Sequence, residues 1–332
     1  MENIFRFVLI GSGSISNTYI KAIEKLPNIE VVGVVSRSGK RPTAFHEDHK
    51  IEIEDSLGKI KTGYDAVIIC TPNGFHHQSA IEAASLGKHV LTEKPLDISI
   101  EAMDKMINTC KKNKVKLGVA YQRRMSPDNI VIKKIITENK LGRVFAADLT
   151  VKNYRSDDYY NSSDYRGTFN IDGGGPFIQQ ASHNIDLYAW FFGKPKKIIS
   201  DYDTFVHDIE VEDHGVALLR YANGMIGTII ASTAAKPGFD PRLEVHAERG
   251  TFVMENDIIT YWNVDGMANP TKSESKLIQS GASSAVVSNT TNHEAIVKDF
   301  VESVSENREP FISGESAKIA TEIVLEIYKN KI

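Results

Sequence analysis

Short apolar runs alternate with amphipathic stretches over about the first 120 residues of the chain. The runs are rich in Val, Ile and Leu, and such near-continuous apolar character over few residues predicts strands buried on both faces. Strands are predicted at residues 5–10, 30–35, 66–70, 89–92 and 116–120, with helices between them at 15–25, 77–86 and 100–112. This alternation of strand and helix predicts a doubly wound parallel sheet.

The pattern changes after about residue 121. Ser126-Pro127 begins a predicted helix that ends near residue 139, and longer β-rich runs follow it. These runs predict strands at 143–154, 196–206, 211–221, 225–233, 242–246 and 251–254, with final helices at 292–305 and 313–331. Asn223-Gly224 and Arg249-Gly250 are hairpin signals, and the Ser-, Thr-, Asn- and Gly-rich stretch 269–292 is predicted to be a mobile loop. We therefore expect an α/β domain over residues 1–121 and an α+β domain with a large, mostly antiparallel open sheet over residues 122–332.

Composition narrows the class of protein. The 332 residues include 39 Lys and Arg against 43 Asp and Glu, and this net charge of −4 argues against a general nucleic-acid binder. No uncharged apolar run approaches the roughly 20 residues that a membrane-spanning helix needs. Cys70 and Cys110 are too few for a disulfide framework, and neither the cysteines nor the histidines show metal-ligand spacing. We therefore expect a cytoplasmic protein without a metal centre.

A glycine-rich turn follows the first predicted strand. Gly11-Ser12-Gly13-Ser14-Ile15-Ser16 has the pattern G-x-G-x-x-S, one glycine short of the dinucleotide-binding fingerprint. Gly11 permits a tight turn, and Gly13 lets the backbone N–H groups of Ser14 and Ile15 approach a pyrophosphate at the start of the helix. Turns of this composition also occur without a ligand, but the place of this one in a parallel-sheet pattern favours a dinucleotide.

The residues after the second predicted strand bear on the choice of nucleotide. An NAD-binding site usually carries an acidic residue here, about 20 residues past the loop, bonded to the ribose 2′-hydroxyl. Ser36-Arg37-Ser38 stands there instead, and a guanidinium can bind a 2′-phosphate that a carboxylate would repel. We expect Ser36, Arg37 and Ser38 to contact the nucleotide and NADP(H) to be favoured. Arg37 also fits an ordinary solvated side chain, so NAD(H) stays open.

Further polar residues follow the predicted strands at 66–70 and 89–92. They are Thr71-Pro72-Asn73 and Glu93-Lys94-Pro95. Residues beyond the carboxyl ends of parallel strands line the crevice in which ligands bind, and Pro95 restricts Lys94 to extended conformations. Spacing alone also fits a surface lysine ahead of a helix.

Four motifs together resemble the Gfo/Idh/MocA oxidoreductases. They are the loop 11–16, Thr71-Pro72-Asn73 with His76, Glu93-Lys94-Pro95, and Gly173-Gly174-Gly175 followed by His183 and Asp186. The resemblance extends over residues 5–262. It implies a nicotinamide cofactor in a Rossmann domain over 1–121, and a substrate-binding and oligomerisation domain over 122–332. The implied activity is oxidation or reduction of a sugar or polyol carbon.

The resemblance also implies roles for individual residues. Lys94 is the catalytic lysine, with a cis Lys94–Pro95 bond, and His183 is the histidine near the reacting hydroxyl, although His183 alone also fits an ordinary helix residue. Gln179 stands where many members carry Asp, so it can orient a group but cannot take a proton. Besides the loop and residues 36–38, expected cofactor contacts are Thr71, Pro72, Asn73, His76, Glu93, Lys94, Gln122 and Arg166. Expected substrate contacts are Lys94, Arg123, Tyr154, Gln179, Gln180 and His183. Arg124 is a further candidate for a substrate or cofactor contact, and ordinary ion pairing stays open for Arg123, Arg124, Tyr154 and Arg166.

The chemistry of Lys94 and His183 agrees with the resemblance. Hydride removal from a secondary alcohol requires loss of the hydroxyl proton, which a histidine accepts at neutral pH while an ammonium stabilises alkoxide character. We therefore expect an NADP(H)- or NAD(H)-dependent sugar dehydrogenase or reductase. The alternatives are a UDP-N-acetylaminouronate-type 3-dehydrogenase of surface glycan synthesis, and a non-catalytic NAD(P)-binding sensor or scaffold. An open antiparallel sheet with one uncovered face predicts a homo-dimer or homo-tetramer.

Overall fold

The computed structural model describes residues 4–45, 50–272 and 289–332. The chain forms two compact units, and we call them the N-terminal unit (Met1–Gln122 with Val286–Lys318) and the C-terminal unit (Arg123–Ala285 with Ile319–Ile332). Residues 286–318 therefore group with the N-terminal unit, although the sequence pattern places them in the second domain. The apolar stripe of a helix predicts that it packs, but not on which domain. Most of the loop predicted at 269–292 lies outside the described residues.

The helices and strands follow the predicted order. The helices are α1 (Ser14–Ile23), α2 (His76–Ser85), α3 (Ile100–Lys112), α4 (Pro127–Thr137), α5 (Asp157–Tyr160), α6 (Ser182–Phe192), α7 (Thr291–Ser305) and α8 (Gly314–Lys329). The strands are β1 (Phe5–Ile10), β2 (Ile29–Val35), β3 (Glu52–Glu54), β4 (Ala66–Ile69), β5 (His89–Thr92), β6 (Leu117–Val119), β7 (Val144–Lys152), β8 (Lys197–Asp203), β9 (His214–Arg220), β10 (Ile226–Ser232), β11 (Arg242–Ala247), β12 (Gly250–Glu255) and β13 (Ile258–Val264).

The hydrophobic pattern does not predict β3, β13, α5 or α6. Both β3 and α5 are very short, and β13 mixes apolar with polar residues. Most residues of α6 are buried, on all sides of the helix, so it lacks the one-sided apolar stripe that marks a surface helix. Burial thus removes the periodic signal from the helix that carries His183.

The N-terminal unit is built on a six-stranded sheet with the order β3-β2-β1-β4-β5-β6. Every strand pair is parallel. All of β4 and the last four residues of β1 are buried, as their apolar runs predict. The strand order reverses direction at β1, and ligands bind at such a switch point beyond the carboxyl ends of the strands. The predicted doubly wound parallel sheet is confirmed.

Helix α7 packs against the sheet of the N-terminal unit, although it lies far from that sheet in the sequence. Phe300 is fully buried, and its ring lies 6.2 Å from that of Phe7 on β1. A Cβ on Gly118 would lie 2.8 Å from the Phe300 ring, so the short side chain on β6 makes room for it. These contacts explain why α7 belongs to the N-terminal unit.

The C-terminal unit is built on a seven-stranded sheet with the order β13-β12-β11-β7-β10-β9-β8. The pair β7–β10 is parallel and the other pairs are antiparallel, so the predicted mostly antiparallel sheet is confirmed. Asn223-Gly224 turns the chain between β9 and β10, with Gly224 at a φ of +91°. One face of β7 and β9 is buried, whereas the other face of the sheet exposes apolar side chains. No helix within the described ranges is long and apolar enough to cross a membrane.

Candidate active site

The turn after β1 requires glycine at residue 11. Gly11 has a φ of +107°, and a Cβ on it would lie 2.7 Å from the carbonyl oxygen of Cys70. Its N–H donates to the carbonyl of Val35 at 2.9 Å. Conformation and packing both exclude a side chain at this position, so the chain enters α1 through a tight turn.

The start of α1 can receive an anion. Gly13 is the N-cap residue and provides no side-chain cap for the N–H groups of the first turn, which includes Ser14 and Ile15. A Cβ on Gly13 would meet nothing within 4 Å. Ser16, in place of the third glycine, is buried and donates its hydroxyl to the carbonyl of Gly11 at 2.9 Å. The space and the N–H donors fit the pyrophosphate of a dinucleotide.

Three serine hydroxyls meet where β2 ends. Ser36 Oγ lies 3.0 Å from Ser12 Oγ and 3.3 Å from Ser38 Oγ. Ser36 is 5% exposed, whereas Arg37 beside it is exposed. The hydroxyl cluster therefore joins the phosphate turn to the position that carries an acidic residue in NAD sites, and it contains no carboxylate.

Two expected cofactor residues have a buried oxygen without a hydrogen-bond partner among the described residues. These oxygens are Thr71 Oγ1, in the turn after β4, and Gln122 Oε1, beyond β6. Pro72 and Asn73 are half-buried in the same turn as Thr71. A buried polar atom without a partner is costly, so both oxygens fit contacts with a polar ligand.

His76, the first residue of α2, is bonded within the chain. Its ring is fully buried, with Nδ1 2.8 Å from the carbonyl oxygen of Pro95 and Nε2 2.9 Å from that of Thr71. Both ring nitrogens therefore face protein carbonyls. This geometry does not favour the cofactor contact that the sequence resemblance implies for His76.

The segment after β5 is fixed by a buried carboxylate. Glu93 accepts a hydrogen bond from the Tyr19 hydroxyl at 2.6 Å and another from the Lys94 N–H at 3.3 Å. Burial raises the pKa of Tyr19 well above its usual value, and the Glu93 carboxylate raises it further. The Lys94–Pro95 bond is cis, as the resemblance implies, and Lys94 is half-buried. The Glu93 side chain thus joins α1 to the segment that carries Lys94.

In the C-terminal unit, two of the three glycines before α6, Gly174 and Gly175, pack against a phenol and a buried glutamate. A Cβ on Gly174 would overlap the Tyr328 hydroxyl, and one on Gly175 would overlap the Glu212 carbonyl. The Glu212 carboxylate accepts hydrogen bonds from the Gly175 N–H at 3.0 Å, the Phe177 N–H at 3.3 Å and the Tyr328 hydroxyl at 2.9 Å. Burial raises the pKa of Glu212 to about 7, although these donors lower it.

A buried ion pair holds α6, which carries His183 in its first turn. Arg124 Nε donates to Asp186 Oδ2 at 2.7 Å and Nη2 to Oδ1 at 2.5 Å, and both side chains are 1% exposed. Burial raises the pKa of Asp186 to about 6, against the lowering by Arg124. The Arg124 guanidinium also lies 5.5 Å from the centre of the Trp190 ring. The Asp186–Arg124 pair therefore ties α6 to the segment that carries Arg124.

Gln179 is held by hydrogen bonds to the loop before α6. Its side-chain Nε2 donates to the carbonyl of Asp172 at 2.7 Å, and its backbone N–H donates to that of Gly175 at 3.0 Å. This contact fixes which end of the amide is the nitrogen. The held amide can orient a neighbouring group, in agreement with the expected role.

Gln180 and Arg166 meet at Tyr159. Gln180 Nε2 donates to the Tyr159 hydroxyl at 3.2 Å. The Arg166 guanidinium lies 4.2 Å from the centre of the Tyr159 ring, and that of Arg155 lies 5.3 Å from it. Such cation–π contacts hold guanidinium groups in place. In the C-terminal unit, Gln180 and Arg166 therefore both contact the Tyr159 side chain. Gln180 directly follows Gln179 in the sequence and precedes His183 by three residues.

The other two expected substrate residues have partners of their own. Arg123 Nη1 lies 3.4 Å from a carboxylate oxygen of Asp257, which is the ion-pairing alternative left open by the sequence. Tyr154 is half-buried, and the Lys236 ammonium lies 5.5 Å from the centre of its ring.

Two further histidines, His77 and His207, are each paired with one aspartate. His77 Nδ1 lies 2.9 Å from Asp97, and His207 Nδ1 lies 3.0 Å from Asp213. Within the part of the chain that the structure describes, no group of three or more His, Cys, Asp or Glu residues is placed to hold a metal ion.

Sequence reasoning misses Glu212 and Tyr328 as residues that support this region. For Arg124 it names ordinary ion pairing as an alternative, which the structure confirms, but it does not identify Asp186 as the partner. Each of these contacts acts across a long separation in the chain, so no local spacing marks it. The three consecutive glycines signal a close approach of some other group. They do not say which group approaches.

Comparison with known proteins agrees with the fold and the motifs. The family model of NAD-binding Rossmann-fold oxidoreductases matches residues 5–121, and that of the GFO/IDH/MocA C-terminal domain matches residues 130–253. Inositol 2-dehydrogenase of Rhizobium meliloti is 26% identical over 260 residues, which cover 76% of each chain.

Two solved structures are similar over nearly the whole chain. WlbA dehydrogenase of Bordetella pertussis, in complex with NADH and UDP-GlcNAcA, is 27% identical with a TM-score of 0.85, covering 99% of this chain and 96% of that one. WlbA dehydrogenase of Chromobacterium violaceum, with the same two ligands, is 25% identical with a TM-score of 0.85, covering 99% and 94%. Since the two family models together span most of the sequence, the chain belongs to the Gfo/Idh/MocA family of NAD-binding oxidoreductases.

Proposed function

We propose that the protein transfers a hydride between a nicotinamide dinucleotide and a secondary alcohol carbon of a sugar, polyol or sugar derivative. The observation that carries the proposal is the phosphate turn, where Gly13 leaves open space at a helix start without a side-chain cap. Lys94 belongs to the same unit, beyond the carboxyl end of β5. When bound, the nicotinamide ring supplies the hydride acceptor or donor.

Lys94 and His183 divide the work on the reacting hydroxyl. The Lys94 ammonium stabilises negative charge as it develops on the oxygen, and His183 accepts the hydroxyl proton when the alcohol is oxidised. In the reverse direction His183 returns the proton. The Asp186–Arg124 pair supports this role because it holds α6 by two short hydrogen bonds three residues beyond His183.

Gln179 orients the substrate or His183 and takes no proton. Its amide is fixed by the Asp172 carbonyl, and an amide has no proton to lose or accept at neutral pH. The proton relay of relatives that carry Asp at this place therefore does not operate here, and His183 alone accepts the proton from the substrate.

NADP(H) is the favoured nucleotide. The position that would repel a 2′-phosphate holds Ser36 in a hydroxyl cluster, and Arg37 provides an exposed cation beside it. The two WlbA structures hold NADH, so the nucleotide is one point at which we expect this chain to differ from them.

A second candidate narrows the substrate to a UDP-linked N-acetylaminouronate, oxidised at carbon 3. One observation that favours it is the similarity over 99% of the chain to two dehydrogenases solved with UDP-GlcNAcA. The other is the amide at residue 179 in place of Asp, because the family resemblance implies an amide at this place in some relatives that act on nucleotide-linked amino-uronic sugars. Such a substrate would place the enzyme in surface glycan synthesis.

The test is to identify the nucleotide carried through purification and then to screen sugars, polyols and UDP-sugars for its reduction or oxidation. Turnover of any member of the panel supports the general proposal. Turnover confined to UDP-aminouronates supports the narrower one. Nucleotide binding without turnover across the panel would overturn both and leave a sensor or scaffold.

We also propose that a second copy of the chain covers the open face of the C-terminal sheet. Ile199, Val216, Leu218 and Ile226 on that face are between 37 and 47% exposed, and contiguous exposed apolar surface is typical of interfaces. Sedimentation of the wild type and of Leu218→Glu checks it: the wild type should be a dimer or tetramer and the variant a smaller species.

We also propose that the protein is located in the cytoplasm. Its two cysteines are buried and form no disulfide bond, which agrees with a reducing compartment.

A further inference from the structure

Two turns of the N-terminal unit leave the sheet side by side. One is the turn that begins at Thr71 after β4, and the other is the segment Glu93-Lys94-Pro95 after β5. The two strands are paired as far as Ile69 and Thr92. The last ladder bond runs from the Glu93 N–H to the Ile69 carbonyl at 3.0 Å, so a further contact is needed to hold Lys94 and Pro95 relative to the turn that begins at Thr71.

His76 makes that contact. Its Nδ1 lies 2.8 Å from the Pro95 carbonyl oxygen and its Nε2 lies 2.9 Å from the Thr71 carbonyl oxygen, with the ring fully buried. We propose that His76 is a positioning residue, which fixes Lys94 relative to the turn 71–73 by bridging these two carbonyls. The proposal rests on the function proposed above for Lys94.

The chemistry of the two partners makes the bridge demanding. A carbonyl oxygen only accepts, so both bonds form together only when both ring nitrogens carry a proton; a neutral ring bonds one carbonyl at a time. Because the ring is shielded from water, no solvent molecule replaces a lost bond, and an unsatisfied buried carbonyl is costly. One side chain thus determines whether both segments are held at once.

The two bonds have separable consequences. Pro95 directly follows Lys94, so loss of the bond to Pro95 allows the segment that carries Lys94 to shift. Thr71 begins the turn whose hydroxyl is buried without a partner among the described residues, so loss of the bond to Thr71 loosens the expected nucleotide contact. Small displacements of a catalytic group are expensive in rate, about 10²-fold for 1 Å.

Two substitutions remove one bond each. The amide nitrogen of Asn lies where Nδ1 of His lies, so His76→Asn keeps the donor to Pro95 and loses that to Thr71. The longer Gln places its amide nitrogen near Nε2, so His76→Gln keeps the donor to Thr71 and loses that to Pro95. The measurements are kcat and the dissociation constant of the nucleotide by calorimetry, both per folded molecule.

We expect opposite effects in the two variants. His76→Asn should weaken nucleotide binding about fivefold, the value of one hydrogen bond, with kcat within about twofold of wild type. His76→Gln should lower kcat about tenfold or more, with nucleotide affinity within about twofold. Equal changes in both variants, or no change in either quantity, would overturn the proposal, since a merely structural histidine predicts no split.

His77→Asn is the matched control. His77 is the next residue of α2, and it contacts Asp97 through both its ring and its backbone N–H. The variant keeps the backbone bond and touches neither Thr71 nor Pro95. Its kcat and nucleotide affinity should equal those of the wild type, and a split like that of the His76 variants would contradict the assignment to His76.

A measurement on the wild type covers the case in which the His76 variants do not fold. With ring-¹⁵N-labelled histidine, His76 should show two slowly exchanging N–H groups, and only one would overturn the bridge. If the wild type turns over no substrate, the proposed function fails, whereas the nucleotide affinities and the ring N–H groups still decide the bridge.

Discussion

Two glycine segments of the molecule use the missing side chain for opposite purposes. At Gly13, in the phosphate turn, a Cβ would meet nothing within 4 Å. At Gly174 and Gly175, before α6, a Cβ would overlap Tyr328 and Glu212. The first glycine leaves room for a ligand, and the other two leave room for the protein itself.

The difference extends to what holds each region in place. Uncharged groups hold the phosphate turn, because the Gly11 N–H donates to the Val35 carbonyl at the end of β2 and the Ser16 hydroxyl donates to the Gly11 carbonyl. Buried ionisable side chains hold the chain on both sides of His183. Glu212 bonds Gly175 before it, and Asp186, which follows it on α6, pairs with Arg124. Binding chemistry therefore rests on chain conformation in the N-terminal unit and on long-range electrostatics in the C-terminal unit.

The largest expected effect concerns Lys94 and His183, the two side chains to which we assign catalytic roles. Lys94→Met should lower turnover roughly 10²–10³-fold, as for loss of a preorganised charge donor. His183→Asn should lower it about 10²–10⁴-fold, as for loss of a positioned base. Nucleotide binding should survive in both variants. Steady-state kinetics and nucleotide titration measure the two quantities.

The double variant shows whether the two residues act as one unit. Residues that act together lose far less in combination than the product of their separate losses, so the double variant should be little worse than the poorer single one. Fully multiplicative losses would show independent roles. Near wild-type turnover in either single variant would refute the role assigned to that residue.

The same substitution at two glycines separates the two regions directly. Gly175→Ala forces a Cβ into the backbone carbonyl of Glu212 and should destabilise the fold by about 4 kcal/mol or more, the range of severe core substitutions. Gly13→Ala has open space and should leave stability within about 0.5 kcal/mol, while nucleotide affinity falls because the Cβ occupies the ligand's space. Chemical denaturation and calorimetry test both. Equal stability losses at the two positions would remove the contrast.

The predictability of each region follows from what holds it. The loop at 11–16, the strand ends and the segment 93–95 are local in sequence, so hydrophobic runs and motif spacing place them correctly. The family resemblance implies the cis Lys94–Pro95 bond, and the structure confirms it. In contrast, His76 is recognised as part of a motif, but the spacing of that motif does not predict that its ring contacts the carbonyls of Thr71 and Pro95.

Long-range contacts explain what the sequence does not provide. Glu212 and Tyr328 lie 37 and 153 residues beyond Gly175, counted along the printed sequence, and no periodicity connects them. Helix α6 escapes prediction because burial on all sides leaves no polar face. Sequence reasoning thus locates the motifs along the fold and misses the buried partners that hold the segments carrying them.

Glu212 gives the electrostatic side of the contrast a pH dependence. Burial raises its pKa to about 7 from a usual value of 4.5. A raised carboxyl pKa contributes stability that is fully present below the unfolded value and is lost as the pH rises through the folded value. Between about pH 4.5 and 7, the wild type should therefore lose on the order of 3 kcal/mol relative to Glu212→Gln, which does not titrate.

Denaturant unfolding of the wild type and Glu212→Gln at several pH values checks this. Asp213→Asn is not a suitable control, because Asp213 bonds three backbone N–H groups. Glu248→Gln, at an exposed carboxylate of the same unit, is the better one and should follow the wild type. A difference between wild type and Glu212→Gln that stays constant over this range would show that Glu212 is ionised throughout.

The smallest expected effect lies at the edge of the phosphate turn, at Arg37. The side chain is exposed, so solvent screens its contact with a 2′-phosphate, and the contact is worth about tenfold in affinity rather than the larger factor of a buried charge pair. Arg37→Ala should weaken NADP(H) binding about tenfold and leave NAD(H) binding unchanged, because only the first nucleotide carries the phosphate. Calorimetric titration of both nucleotides at two salt concentrations measures this, and the NADP(H) loss should shrink at high salt. Equal NADP(H) affinity in wild type and variant would remove Arg37 from the site, and tighter binding of NAD(H) by the wild type would overturn the cofactor preference. After either result, the nucleotide contacts proposed for this part of the N-terminal unit would be the backbone N–H groups of the phosphate turn, without the Arg37 guanidinium.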